Sequence, residues 1–283
     1  MLWPPKPGFT VRDVLKACTT WLDTQDWGGE LRTRLPELIA LEERYQTAGE
    51  AGRLLALLLS EADSQKKDPD KGRFHAVYET ALVDRAPGRK LYDALMASAV
   101  HNLCPLCGYQ PVAQIDHHAP KASFPLWALT PLNLVPTCGP CNQGKSNKLA
   151  VEAAKEAFHP YFDDLGEERW LFAYVHRANG GVTATYFVRA PDHWPETKSK
   201  RLQHHFASHK LADRYAKATS SRLSNRRRRD VRLLTSSGPE ELRASIAEEA
   251  ASAQEAHPNS METALLHGLA TCDWYLNGGM AVG

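Results

Sequence analysis

Two C-x-x-C pairs, Cys104 with Cys107 and Cys138 with Cys141, constrain this chain more than any other feature it carries. They stand in C-P-L-C-G and C-G-P-C-N, and Pro and Gly beside the thiols are typical of metal-binding knuckles. Thiolates in two pairs select tetrahedral zinc. Four protein ligands leave no open position, so the expected ion is structural rather than catalytic. The segment between the pairs has little apolar core of its own, and metal binding would then supply folding energy. The other two cysteines, Cys18 and Cys272, lie far away in apolar helical patterns and read as small buried hydrophobes.

Composition bounds the rest. The chain has 283 residues, 43% hydrophobic and 24% charged, which fits a soluble globular protein of one or two domains. No apolar run approaches the roughly 20 residues of a membrane-spanning helix. The N-terminal M-L-W-P-P-K-P lacks the apolar core of a secretory signal, so the expected location is the cytoplasm. That compartment favours metal ligation over disulfides for paired cysteines. A formal net charge of +1 excludes nucleic-acid binding through bulk charge. Any such binding must use a local basic patch.

The expected fold class is α+β: a mostly helical chain around a central zinc-clipped module. Leu38, Leu41, Tyr45 and Ala48 recur at helical spacing, Pro36 suits a first helical turn, and Leu54 to Leu59 is the densest apolar cluster. Gly49 and Gly52 are candidate breaks, and the polar run Ser64 to Gly72 reads as a loop. Phe74, Val77, Ala81 and Leu82 mark another helix, and Leu91, Leu95 and Met96 one more. Short strands are expected over 111–115 and 132–136, then a helix from Cys141 through Lys148 to Ala154. Trp170 to His176 and Val182 to Arg189 flank Asn179-Gly180-Gly181 as a hairpin. Residues 196–232 are basic and helical, 240–256 are rich in Ala and Glu, and Met261 to Leu276 forms a last amphipathic helix. The expected division is a helical region 1–98, the zinc-clipped module 99–160, and a mixed region 161–283.

Between the knuckles, Ile115-Asp116-His117 places a carboxylate and an imidazole on adjacent positions at a strand end. Hydrolysis of a phosphodiester requires an activated water, a charge-stabilising cation and a stabilised leaving oxygen. A Mg²⁺ ion suits the last two tasks and takes hard oxygen ligands, here Asp116 and the amide oxygen of Asn142. His117 would be the general base, since imidazole titrates near neutrality. His118 points the other way on a strand and suits packing or a phosphate contact.

These residues resemble the HNH endonucleases, whose ββα-metal, treble-clef-like module carries the same series. The resemblance implies that Asp116 ligates the metal, His117 activates water, Asn133 braces the His-bearing loop through backbone bonds, and Asn142 completes the metal site. Asn142 stands where some members have His, which matches the H-N-N form and favours Mg²⁺. The D-H-H-A-P-K-A-S-F-P stretch, the N-L-V-P-T-C stretch and His159-Pro160-Tyr161-Phe162-Asp163 are similar to a subgroup found as the nuclease of bacterial anti-phage modules of the Septu and retron-linked type. That implies an antiviral DNA endonuclease working beside an ABC-type ATPase partner.

Lys121, Lys145 and Lys148 are either solvated charges or contacts to backbone phosphate. The run Arg226-Arg227-Arg228-Arg229 is the strongest basic cluster. It reads equally as a phosphate-tracking stretch or as a solvated or docking helix face. His204, His205 and His209 have helical metal-site spacing without a carboxylate, and surface or packing roles suit them better. His159 to Asp163 is expected to pack against the module. The alternatives to a defence nuclease are a non-catalytic, zinc-dependent nucleic-acid-binding or partner-docking module, and a restriction-type HNH nuclease.

Overall fold

The computed structural model describes Met1 and residues 3–145, 149–178 and 181–281. The described residues are mixed α and β, with helices predominating and two small antiparallel sheets. It divides into two compact units, Leu2–Asp164 and Leu165–Gly283. The expected segments 1–98 and 99–160 both fall in the first unit. Among the described residues, no helix is long and apolar enough to cross a membrane.

In the first unit, the helix Leu35–Glu50 has Pro36 in its first turn and buries Leu38, Leu41 and Tyr45 along one stripe. Gly49 lies inside this helix rather than ending it. The ring of Phe162 packs where a Cβ would stand, 2.5 Å away, so only glycine admits this approach. The break comes at Gly52, at φ 63°. The next helix, Leu54–Lys66, runs through the start of the polar stretch expected to be a loop, and another helix begins at Lys71. Only the turn between them departs from helix. Arg34 fixes it by donating to Asp68 at 2.7 and 2.8 Å and to Asp70 at 3.0 Å. The helix Lys71–Ala76 continues as a π-helical stretch, Val77–Val83, followed by the helix Gly88–Ala97.

Strands β1 (Gln114–His117) and β2 (Leu134–Thr137) pair antiparallel, with Asp116 opposite Val135 and His117 opposite Leu134. Both begin two or more residues later than the sequence pattern places them. His117 thereby becomes the last residue of β1. The helix after the second knuckle, Gly139–Gly144, is much shorter than expected. Lys145 leaves it with extended backbone, and its side chain turns back to Asp116. One core joins helices and module: Val11, Leu38, Tyr45, Phe74 and Leu82 are buried with Ile115, Phe124, Trp127 and Leu134. At 25 cal/mol per Å² of apolar area, such shared burial outweighs any single polar contact in holding the module.

The second unit is built on a hairpin, β3 (Leu171–Ala178) and β4 (Gly181–Val188), whose register pairs Phe172 with Phe187 and Val175 with Ala184. The expected turn residues Asn179 and Gly180 lie outside the described residues. The helices Leu211–Ala256 and Met261–Ala270 cover one face of this sheet. The long helix is interrupted at Gly238 (φ 85°), just before Pro239, as expected for a residue without an N–H donor. The last expected helix, Met261–Leu276, is broken at Thr271 and Cys272 into Met261–Ala270 and Asp273–Leu276. Asn259 pins the start of β3, accepting from Trp170 N–H at 2.7 Å and Leu171 N–H at 3.1 Å.

Candidate metal centre and the histidine site beside it

The first knuckle is closed by backbone bonds. Cys104 N–H donates to the Gln110 carbonyl at 2.8 Å, and Gly108 N–H donates to the Cys104 carbonyl at 2.7 Å. Gly108 sits at φ 66°, a left-handed conformation that L side chains resist. The second knuckle starts a helix: Cys138 is the residue before Gly139–Gly144 and Cys141 lies within it. All four sulfurs are buried and lie within 4.8 Å of one another. Cys107 Sγ and Cys138 Sγ are 3.8 Å apart. A tetrahedron with Zn–S bonds of about 2.3 Å has edges of about 3.8 Å, so the donor set fits zinc in type and size.

Packed this closely, the four thiols perturb one another. Hydrogen bonds within the cluster pull Cys138 far below its ordinary value, led by donation from Cys104, and drive Cys141 far above it. Cys107 is lowered to about 7, chiefly by Cys104. Among the described residues, no other group of three or more His, Cys, Asp and Glu residues could hold a metal ion. His204, His205 and His209 therefore form no such centre. His205 and His209 are buried, with rings 4.4 Å apart.

Asp116 and His117 stand at the end of β1, beside this clip. His117 is buried and its Nε2 lies 3.1 Å from the Ala128 carbonyl oxygen. A carbonyl only accepts, so Nε2 carries the hydrogen and Nδ1 keeps a lone pair. Its ring meets Tyr78 edge-on at 4.4 Å. Burial lowers the His117 pKa to about 3, against a smaller upward pull from Ala128, so the imidazole is neutral and does not titrate near neutrality as its sequence position suggests.

Asp116 pairs with Lys145 at 2.7 Å, and the same ammonium donates to the His117 carbonyl. Both side chains are about one-eighth exposed, at 13% and 12%. Burial raises the Asp116 pKa and lowers that of Lys145, and in each case it outweighs the attraction of the partner. Lys145 therefore supplies charge to the Asp116 carboxylate instead of projecting toward a phosphate. Asn142 lies partly buried on the short helix.

Asn133 is fully buried and ties the β1–β2 connection together. Its Oδ1 accepts from Ala119 N–H at 2.6 Å, and its Nδ2 donates to the carbonyls of Ala119 at 3.1 Å and Trp127 at 3.0 Å. Tyr45 Oη–H also donates to Asn133 Oδ1, at 3.0 Å, and Tyr45 Oη lies 3.2 Å from His159 Nε2. Tyr161 N–H donates to His159 Nδ1 at 3.2 Å, which leaves Nε2 as the donor to Tyr45 in the neutral ring. The His159 segment packs into the module as expected. Its ring lies 4.1 Å from His118 and 4.6 Å from Phe162, and Tyr161 Oη–H donates to the Leu134 carbonyl at 2.8 Å.

Sequence reasoning missed Tyr45, Tyr78 and the Ala128 carbonyl. The apolar stripe marks Tyr45 as buried, but nothing in the pattern names a partner 88 residues away.

The remaining basic candidates separate. Lys121 pairs with Glu79 at 2.5 Å and lies over the Tyr78 ring at 5.1 Å. Lys148 lies outside the described residues. Of the two equal readings of the arginine run, Arg226 does not fit the phosphate-tracking one. Its guanidinium pairs with the fully buried Asp230 and with Glu249, each at 2.7 Å, so its charge is compensated internally. Arg229 also pairs with Glu249, at 2.5 Å, and Arg227 donates to the Ala281 carbonyl at 2.8 Å. Arg228 is exposed.

The chain is similar to Protein ea31 of Escherichia phage lambda, at 28% identity over 230 residues, which cover 78% of this chain and 77% of that protein. No protein-family model matches the chain. No solved structure matches it either.

Proposed function

We propose that this chain is an HNH-type endonuclease with a structural zinc at Cys104, Cys107, Cys138 and Cys141. The observation that carries the reading is the pairing of Asp116 with a neutral, anchored His117 at the end of β1, beside a loop locked by Asn133. Binding alone requires no such set. His117 Nδ1 is the proton acceptor: it takes the proton of the attacking water as the new O–P bond forms and the P–O3′ bond breaks. Ala128 fixes the ring and its tautomer through Nε2, which leaves the Nδ1 lone pair as the acceptor. A divalent cation, Mg²⁺ by the hardness of the donors, would be held by Asp116 and Asn142 and would stabilise the charge on phosphate and leaving oxygen. Asn133 and the zinc clip position the strand and helix that carry these groups.

DNA is the proposed substrate, and nicking of supercoiled plasmid is the test. Mg²⁺-dependent nicking is expected from the wild type. Its loss is expected in His117→Ala and in His117→Gln, with zinc content and thermal stability retained in the second. Full activity in both variants would overturn the assignment. A role as effector of an anti-phage module beside an ABC-type ATPase rests on the resemblance alone. It predicts nicking that rises when such a partner is co-purified.

A further inference from the structure

The β3–β4 sheet has two unlike faces. Leu171, Val175, Ala184 and Tyr186 are at most 2% exposed and face the helices. The other face carries Phe172, Tyr174 and His176 on β3, opposite Phe187, Thr185 and Thr183 on β4. Tyr174 is 65% and Phe187 43% exposed, unusual for residues of this size on one small sheet. The rings are ordered in near-parallel pairs. Phe172 and Phe187 lie 5.7 Å apart at 20°, and Tyr174 and His176 lie 5.5 Å apart at 18°. His176 Nε2 lies 2.9 Å from Thr185 Oγ1, which holds the second pair in place.

The charges on this face are unbalanced. Arg169 and Arg189 both lie over the Phe172 ring, at 5.0 and 4.7 Å. Among the described residues, neither pairs with a carboxylate, and Arg169 Nε is buried without a partner. Burial, and then the charge of Arg189, lower the pKa of Arg169. Two guanidinium groups gathered on one ring without a counter-ion make a place where an anion is favoured. Aromatic faces together with unpaired Arg are the two components that bind unpaired nucleotides.

We propose that this face is a stacking platform for single-stranded nucleic acid, with bases on Tyr174 and Phe187 and phosphate at Arg169 and Arg189. Spacing favours single strands. Tyr174 and Phe187 are diagonal neighbours across the two strands, a relationship that separates residues by about 7–8 Å. That is more than twice the step of about 3.4 Å along one strand of a duplex, so successive bases must unstack to meet both rings. Binding by this face does not depend on cleavage at His117.

The test is fluorescence anisotropy of labelled oligothymidylate and oligouridylate of about 12 nucleotides, with no divalent cation added. Each of Tyr174→Ala and Phe187→Ala should weaken binding about tenfold or more, and Tyr174→Trp should retain it. Arg189→Ala should reduce the slope of log affinity on log salt by about 0.7. These side chains are exposed, so unchanged thermal stability should accompany each loss. His117→Gln, which keeps its zinc and stability, should bind as the wild type does, which separates this result from the fate of the nuclease assignment. Unchanged affinity in the Tyr174→Ala, Phe187→Ala double variant would overturn the proposal. So would equal affinity for a blunt duplex, or a wild-type dimer that this double variant dissolves.

Discussion

Tyr45 and Asn133 share a buried hydrogen bond of 3.0 Å across 88 positions of chain. It links the helix Leu35–Glu50 to the residue that locks the β1–β2 loop. Asn133 Oδ1 also accepts from Ala119 N–H, two residues after His117. The helical region is thus part of the support of the histidine site. Trp127 repeats the connection, with its indole N–H donating to the Leu41 carbonyl at 3.2 Å.

Replacing Tyr45 with Phe keeps the ring and removes only the hydroxyl. Asn133 Oδ1 retains its bond from Ala119, and the two contacts of the hydroxyl, to Asn133 and to His159, are lost. At about 0.5–1.5 kcal/mol per buried hydrogen bond, the cost is about 1–3 kcal/mol. Urea unfolding of Tyr45→Phe should show a loss in that range with the slope unchanged. Asn133→Leu should cost more, because the backbone of Ala119 and Trp127 then loses its partners.

Lys145 and Asp116 make a second test. Removing one member of a buried ion pair costs about 3–5 kcal/mol, since it leaves a charge without compensation. Lys145→Met alone should therefore destabilise the protein strongly. Adding Asp116→Asn should restore much of the loss. A double-mutant cycle by denaturant unfolding measures the coupling, and two simply additive losses would show that the pair is not coupled.

The four-cysteine cluster predicts one zinc per chain by elemental analysis. Cys138→Ser should lose it, because the alcohol is a poor replacement for a thiolate ligand. A strong chelator should lower the melting temperature of the wild type toward that of this variant. A chain that contains no zinc and melts unchanged with chelator would remove the metal reading.

These residues also show how far sequence reasoning reaches. The knuckles, the Asp-His pair and the stripe of Leu38, Leu41 and Tyr45 are local patterns, so their spacing alone is informative. The partners of Tyr45, His117 and Lys145 depend on tertiary contacts, which spacing does not encode. The same limit explains the Arg226 run. Its composition resembles a phosphate-binding patch, but Asp230 one turn away and Glu249 farther along the helix satisfy it. The early end of the helix at Gly144 has a similar cause, since Lys145 turns back toward Asp116.

Arg226 should therefore matter for stability and not for charge. Arg226→Ala leaves Asp230, which is fully buried, with only the Tyr275 hydroxyl, among the described residues, donating to it at 2.7 Å. A loss of about 3–5 kcal/mol is expected by denaturant unfolding. The exposed neighbour Arg228→Ala should change stability by less than about 0.5 kcal/mol. Equal effects in the two variants would show that the run acts as a uniform surface.

Glu42 gives stability a pH dependence of calculable sign. Its carboxylate accepts from Val11 N–H at 3.1 Å on both oxygens, yet burial dominates and raises its pKa from 4.5 to about 7. Between those values the folded state holds a proton that the unfolded chain has released. Stability from this group is thus complete below about pH 4.5 and is lost as pH rises through 7. Glu42→Gln keeps an acceptor for Val11 and cannot ionise. Melting temperatures of the variant and the wild type should converge at pH 5 and separate at pH 8, with the variant higher. A wild type that is instead stabilised, relative to Glu42→Gln, as pH rises from 5 to 8 would mean that the Val11 bond outweighs burial and holds the carboxylate ionised.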